Sequence, residues 1–152
     1  FPMGTGGIGF LMLKLYEVSG KKEFLDAVKG VPEYMDTVAV KMRAGKLLPH
    51  ALPDRPDLFY LGYCHGPAGT NRFYYELYKF SGDAKYRDAA ADIYHYICNV
   101  LVDKRPGSEW FWDVDADGKP SSRKPILEPW KCPYHNGRMC MELIRRDPDV
   151  TV

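Results

Sequence analysis

The sequence predicts an all-α domain, a partial α/α toroid of about five helices with a short β-hairpin near residues 109–120. Three observations carry that reading. First, the chain repeats itself at an offset of 62 residues. Gly4-Thr5-Gly6-Gly7 aligns with Gly66-Pro67-Ala68-Gly69, Leu15-Tyr16 with Leu77-Tyr78, Ser19-Gly20 with Ser81-Gly82, and Asp26-Ala27 with Asp88-Ala89. Repeats of this size mark stacked supersecondary units that cannot bury their faces alone. Second, apolar residues recur at helical spacing: Leu11, Leu15 and Val18 in one copy, Phe73, Leu77 and Phe80 in the other. Third, each copy reads as a Gly-rich start, a helix, a Ser-Gly stop and a second helix.

Taken in order, an inner helix spans 7–19 and an outer one 22–44, with Pro32 kinking or restarting the outer helix. The stretch Gly45–Leu61 holds Pro49, Pro53 and Pro56, is too long for a mere connector, and is expected to fold over the rim. An inner helix follows at 66–80 and an outer one at 83–102. Glu109-Trp110-Phe111-Trp112-Asp113 then alternates, and Asp115-Ala116-Asp117-Gly118-Lys119 turns, the pattern of a short hairpin or Ω-like excursion. An irregular stretch, Pro120–Pro133, leads into a last inner helix, Tyr134–Arg146.

The composition fits one domain over residues 1–152, a length that buries roughly 68–70% of the unfolded surface. A net charge of +1 and a pI near 7.8 give no support to nucleic acid or an anionic membrane as partner. The four cysteines, Cys64, Cys98, Cys132 and Cys140, sit in or beside helical patterns and not at stapling spacings. That usage points to a reducing, cytoplasmic setting. No apolar run approaches the ~20 residues of a membrane span. The chain begins Phe1-Pro2 without an initiator Met, and a piece of a longer chain is expected.

Two clusters carry chemistry. Gly62-Tyr63-Cys64-His65-Gly66-Pro67-Ala68-Gly69 sets a thiol and an imidazole side by side at the mouth of a helix, among small residues that admit a close ligand. Trp130-Lys131-Cys132-Pro133-Tyr134-His135-Asn136-Gly137-Arg138 repeats the arrangement at the mouth of another. Inner helices that point the same way bring both clusters to one rim. Cys64 and His65 are candidate metal ligands, and Cys132 could complete a three-ligand zinc site with an open fourth position, which His135 would otherwise fill. The dull alternative is a buried thiol beside a capping histidine. His135 stands in a helix's first turn, where the dipole disfavours imidazolium and keeps the ring neutral as a base. Trp130 and Tyr134 offer stacking surface beside it, and Arg138 lies one turn on along the same face.

Other patterns are discarded. Asp113, Asp115 and Asp117 alternate like a calcium loop but no Glu follows in place. Gly4-x-Gly6-x-x-Gly9 follows no strand, so it is not a nucleotide fingerprint. His50 and His95 read as structural or exposed, and Cys98 and Cys140 as core.

From Phe1 to about Phe80, Gly4-x-x-Gly7, Leu15-Tyr16-x-x-Ser19-Gly20 and the Cys64-His65-Gly66 motif resemble lanthionine synthetase C-like proteins. The resemblance implies two zinc ligands from Cys64 and His65, a third Cys from a neighbouring repeat, and a metal that activates a thiol. From about Lys85 to Arg146, Glu109-Trp110-Phe111-Trp112 and Trp130-Lys131-x-Pro133-Tyr134-His135-Asn136-Gly137-Arg138 resemble the end of N-acylglucosamine 2-epimerase-type proteins. There the His matching His135 is one of a catalytic pair that moves a proton beside a sugar carbonyl. Both families imply six-hairpin α/α toroids of the glycosidase-like kind. The first segment lacks its third Cys at the one-repeat distance, and the second lacks the hairpins that carry the other His, so a fragment or a hybrid of the two is expected.

The function expected first is a carbohydrate epimerase or isomerase without cofactor, with His135 and His65 as the acid–base pair. Trp110, Trp112, Trp130 and Tyr134 would wall the sugar and Arg138 would orient a hydroxyl or acidic substituent. The alternatives are a zinc protein that activates a thiol for peptide modification, and a non-catalytic helical-repeat module. An open ring edge would favour self-association.

Overall fold

The structure, a computed structural model, describes residues 4–43, 45–107, 109–114, 117, 119, 125, 129 and 134–146. The expected repeat is built into it. Helix α1 (Gly4–Ser19) stops at Gly20, whose φ is +67° and whose N–H donates to the Tyr16 carbonyl at 2.8 Å. The corresponding inner helix, Pro67–Ser81, stops at Gly82, with φ +69° and an N–H donated to the Tyr78 carbonyl at 2.8 Å. L side chains disfavour that φ, so glycine ends both helices. Ser19 and Ser81 then accept from the N–H groups of Lys21 and Asp83 at 3.3 and 3.2 Å.

The expected outer helix 22–44 is broken. It forms as α2 (Lys22–Val28), α3 (Val31–Val38) and a two-stranded antiparallel hairpin, β1 (Val40–Met42) and β2 (Gly45–Leu47), with Val40 opposite Leu47. Gly30 caps α3 and Pro32 sits in its first turn, where a missing N–H costs nothing. Ala39 then turns extended, and Met42 and Leu47 both drop into the core. The described residues thus place a two-stranded sheet at 40–47, while of the hairpin expected near 109–120, residues 115, 116, 118 and 120 lie outside the described residues. At 109–111 the chain runs extended instead: Val102 and Trp110 form an isolated bridge, and Phe111 N–H donates to the Leu101 carbonyl at 2.8 Å. Residues 67–81 are α4 and Ala84–Tyr96 is α5, capped by the Asp83 carboxylate on the Lys85 N–H and prolonged by a π-helical turn, Ile97–Leu101. Helix α6 (Tyr134–Arg146) is the third inner helix.

Two apolar clusters meet at Ile93. One, between α1 to α5, holds Phe10, Leu13, Val28, Met35, Phe73, Tyr74, Leu77 and Ala90. The other joins the hairpin, the segment before α4, the π turn, Trp110 and Met139 of α6. The apolar face expected on α1 is corrected here. Leu11 and Val18 are exposed, and the buried residues are Gly6, Gly7, Gly9, Phe10 and Leu13. Glycines let this face approach its neighbours more closely than the leucine stripe could. A methyl group built on Gly9 would stand 2.6 Å from Phe73 Cε2.

Charge ties the three inner helices together. Glu76 of α4 is 2% exposed and accepts from Lys14 of α1 at 3.2 Å, its counterpart 62 residues earlier. It also accepts from Arg146 of α6 at 2.7 Å and from Lys79 at 3.3 Å. Arg72 of α4 pairs with Glu142 of α6 at 3.4 Å. Burial alone would raise the Glu76 carboxyl, but Arg146 and Lys14 outweigh it and hold the group below its ordinary 4.5.

Two outcomes are expected in urea unfolding. Gly9→Ala loses about 1–3 kcal/mol against the fully buried Phe73 ring, whereas Gly30→Ala, with nothing within 4 Å of the new methyl, changes little or gains. Glu76→Gln loses about 3 kcal/mol near neutral pH, because it leaves the cations around it uncompensated. Since the folded carboxyl ionises below 4.5, the unfolded chain takes up its proton first as pH falls. The stabilisation is therefore complete above 4.5 and lost as pH drops through the folded value. Glu76→Gln should flatten that acid limb, and an acid limb as steep as that of the parent protein would count against the clamp.

Candidate active site

The rim is set by a sharp fold-back before α4. Gly66 N–H donates to the Gly62 carbonyl at 2.9 Å, and Thr70 returns a backbone bond to the Gly66 carbonyl at 3.2 Å. A methyl at Gly66 would sit 2.4 Å from the Tyr60 carbonyl oxygen and 2.7 Å from that of Gly62. No side chain fits there. Pro67 starts the helix at once.

This fold-back sends adjacent residues to different neighbours. Cys64 is half-buried against the second core cluster, and its Sγ lies 3.5 Å from His135 Nδ1 at the start of α6. The two motifs meet here, as the helix directions predicted. His65 is exposed and packs edge-on against His50, ring centroids 5.0 Å apart, with Tyr60 4.7 Å from His50 and 5.6 Å from His65. The backbone N–H of His50 donates to the Leu58 carbonyl at 2.7 Å.

His135 is gripped from several sides. Gly62 leaves room for its ring, since a methyl there would reach Cγ at 3.4 Å, and the Tyr134 ring lies 3.8 Å away, centroid to centroid. The next residue, Asn136, is buried and donates to Glu109 Oε1 at 2.9 Å. Burial pulls the His135 ring below its ordinary value, opposed by the Glu109 carboxylate. Burial also lowers His65, helped by the charges that His50 and His135 would carry. Both imidazoles are thus biased to the neutral form, the state able to take a proton.

The remaining expected site residues divide. Arg138 is exposed, its guanidinium 5.5 Å from the Tyr63 ring centre, and Arg72 donates to the Tyr63 hydroxyl from below. Tyr134 is exposed and Trp112 half-buried. Trp110 is 8% exposed and belongs to the core, so it backs the wall. Trp130 and Cys132 lie outside the described residues. Cys98 and Cys140, expected in the core, are half-buried. The residues that sequence reasoning passed over are His50, Tyr60 and Glu109. They come from a loop and an extended segment, where periodicity places nothing.

A zinc ion would need three donors turned to one point. Cys64 faces His135 while His65 faces His50, and no group of three His, Cys, Asp or Glu among the described residues could hold a metal. Among the described residues the donors make a two-residue contact, Cys64 with His135. Among these residues, too, no helix is long and apolar enough to cross a membrane.

Comparison with known proteins places this geometry. A family model described as lanthionine synthetase C-like protein matches residues 3–122, and so runs across the boundary near 80–85 between the two resemblances. Cellobiose 2-epimerase of Ruminococcus albus is 47% identical over 73 residues, 48% of this chain and 19% of that protein. The enzyme of the same name from Eubacterium cellulosolvens is 46% identical over 75 residues, 49% of this chain and 18% of that protein. Among solved structures, a cellobiose 2-epimerase from Bacillus thermoamylovorans superposes with a TM-score of 0.72 at 25% identity, covering 93% of this chain and 37% of that one. A sugar epimerase from a ruminal bacterium gives 0.70 at 29% identity, with 96% and 38% covered. The matched segments span less than a fifth of the curated relatives. The chain spans about two fifths of these α/α-toroid epimerases and shares their helical architecture. On an architecture shared with those epimerases, the chain belongs to the lanthionine synthetase C-like family.

Proposed function

We propose that this chain carries the rim of a sugar 2-epimerase, acting on a reducing sugar whose open form presents a carbonyl beside C2. The observation that supports it best is the meeting of two imidazole-bearing segments, His65 before α4 and His135 on α6, both biased towards the neutral form. One imidazole takes the C2 proton, and the electrons of that C–H bond pass to the carbonyl as an enediolate. The other returns a proton to C2 from the opposite face and the carbonyl reforms. Nothing is oxidised or reduced, and the balance requires no cofactor. Tyr134, Trp112 and Trp130 would form the wall for the sugar ring, and the Arg138 guanidinium would hold a hydroxyl. The similarity to cellobiose 2-epimerases makes a β-linked glucose disaccharide the first substrate to try.

Incubation with cellobiose in D2O tests the reading directly. Deuterium should enter C2, and His135→Ala should lower that rate by 10²–10⁴-fold, roughly what a positioned acid–base group contributes. Exchange that survives His135→Ala, or no exchange with cellobiose, an N-acylhexosamine or a ketose, would overturn it. Stoichiometric zinc lost with Cys64→Ala would turn the assignment to a thiol-activating protein instead. A separate readout follows from the rim itself. In imidazole NMR titrations His65 and His135 should both titrate below 6.5, and His50→Phe should move His65 upward by removing the neighbouring charge.

A further inference from the structure

We infer that Tyr60, with His50 beside it, is a specificity-determining residue: the two form a subsite on the rim for the second, unreacting ring of a disaccharide. What that ring is bonded to rests on the epimerase reading, which puts the reacting sugar at His65; the placement of the side chains does not. Alternate residues of the segment before α4 turn inward. Phe59 packs against the second core cluster, and Leu61 and Tyr63, 3% and 2% exposed, belong to it. Tyr60 stands between these anchors and turns the other way, with 37% of its surface open. Its carbonyl lies so close to Gly66 that no side chain fits there, so the backbone beneath the ring is fixed.

A single exposed tyrosine needs no explanation, but here three exposed rings gather. Between centroids, Tyr60 lies 4.7 Å from His50 and 5.6 Å from His65, and His50 lies 5.0 Å from His65. Their planes cross at 83°, 50° and 68° respectively, so no ring lies flat on another. The loop that delivers His50 braces itself: His50 N–H donates to the Leu58 carbonyl at 2.7 Å, and Arg55 N–H to that of Ala51 at 2.9 Å. Both rings are thus in place before a ligand arrives, which lowers the ordering cost of binding. Their chemistry suits a pyranose. Tyr60 offers an apolar face to the sugar's C–H groups and a hydroxyl at its tip. A neutral imidazole adds one donor and one acceptor for sugar hydroxyls. A few polar groups set on an apolar surface are what orient a small ligand. A ring resting on Tyr60 lies next to the sugar that His65 acts on, so the occupant is the ring bonded to the reacting one.

The D2O exchange assay tests the subsite with two probes, cellobiose and glucose. Tyr60→Ala should lower kcat/KM for cellobiose about tenfold more than kcat/KM for glucose, chiefly through KM. Tyr60→Phe, which keeps the ring, should restore most of that discrimination. Equal losses for the two sugars, or no loss for either, overturn the inference. A second readout needs neither turnover nor a folded alanine variant. The ring protons of Tyr60, identified in NMR spectra by their absence from Tyr60→Phe, should shift further at saturation with cellobiose than with glucose. Such shifts in a protein that exchanges no deuterium would sink the epimerase reading and leave the subsite standing. Exchange with cellobiose while the Tyr60 ring stays unmoved would refute the subsite alone.

Discussion

The arrangement of the rim depends on one buried carboxylate. Glu76 lies near the middle of the central inner helix and meets Lys14 on one side and Arg146 on the other. An ion taken out of water stabilises a fold only if it is fully partnered, so the three helices must keep their spacing for Glu76 to stay ionised. The side-chain hydrogen bonds that satisfy it leave little freedom for α1 or α6 to slide along α4. Arg72 and Glu142 repeat the tie one turn nearer the rim. Apolar packing alone would specify this less sharply, because Met139 and the partly buried Leu143 are what α6 contributes to the second cluster.

The distance from clamp to site then matters. Gly66 precedes Glu76 by ten residues, about 15 Å of helix at 1.5 Å per residue. A tie that far below the mouth fixes the separation of α4 and α6 well away from their N-terminal ends. The same two ends carry the residues of the candidate site. Gly66 brings its fold-back within van der Waals limits, Gly62 clears space for the His135 ring, and Asn136 anchors α6 to Glu109. Packing of small residues places the rim, and charge holds it there.

Much of this was legible in the sequence because the repeat is a physical unit. The Ser-Gly stops at 19–20 and 81–82 appear with nearly identical φ, and the inner helices start and end close to where the apolar spacing put them. The clamp itself is the repeat seen in cross-section, since Lys14 and Glu76 occupy corresponding positions. The failures have a common cause. On α1 both faces are apolar by composition, and burial went to the glycine face because it allows the closer approach to Phe73; periodicity counts residues and not reach. The hairpin at 40–47 was hidden inside a helical pattern, where Met42 and Leu47 gained more from the core than from continuing the helix. Trp110 was read as a wall because aromatics suit sugars, yet a core cluster claimed it first.

The site shows a further limit of motif reading. Cys64 and His65 are neighbours in sequence, and adjacency suggests that they act on one object. A backbone folded as tightly as the one around Gly66 separates them instead, sending the thiol inward to His135 and the imidazole outward to His50. A metal held by Cys64 and His65 together would have to reverse one of those directions, breaking either the thiol–imidazole contact or the ring packing at 4.7–5.0 Å. The thiol of one motif lies 3.5 Å from the imidazole of the other, and that half-buried contact is where the two helix mouths meet.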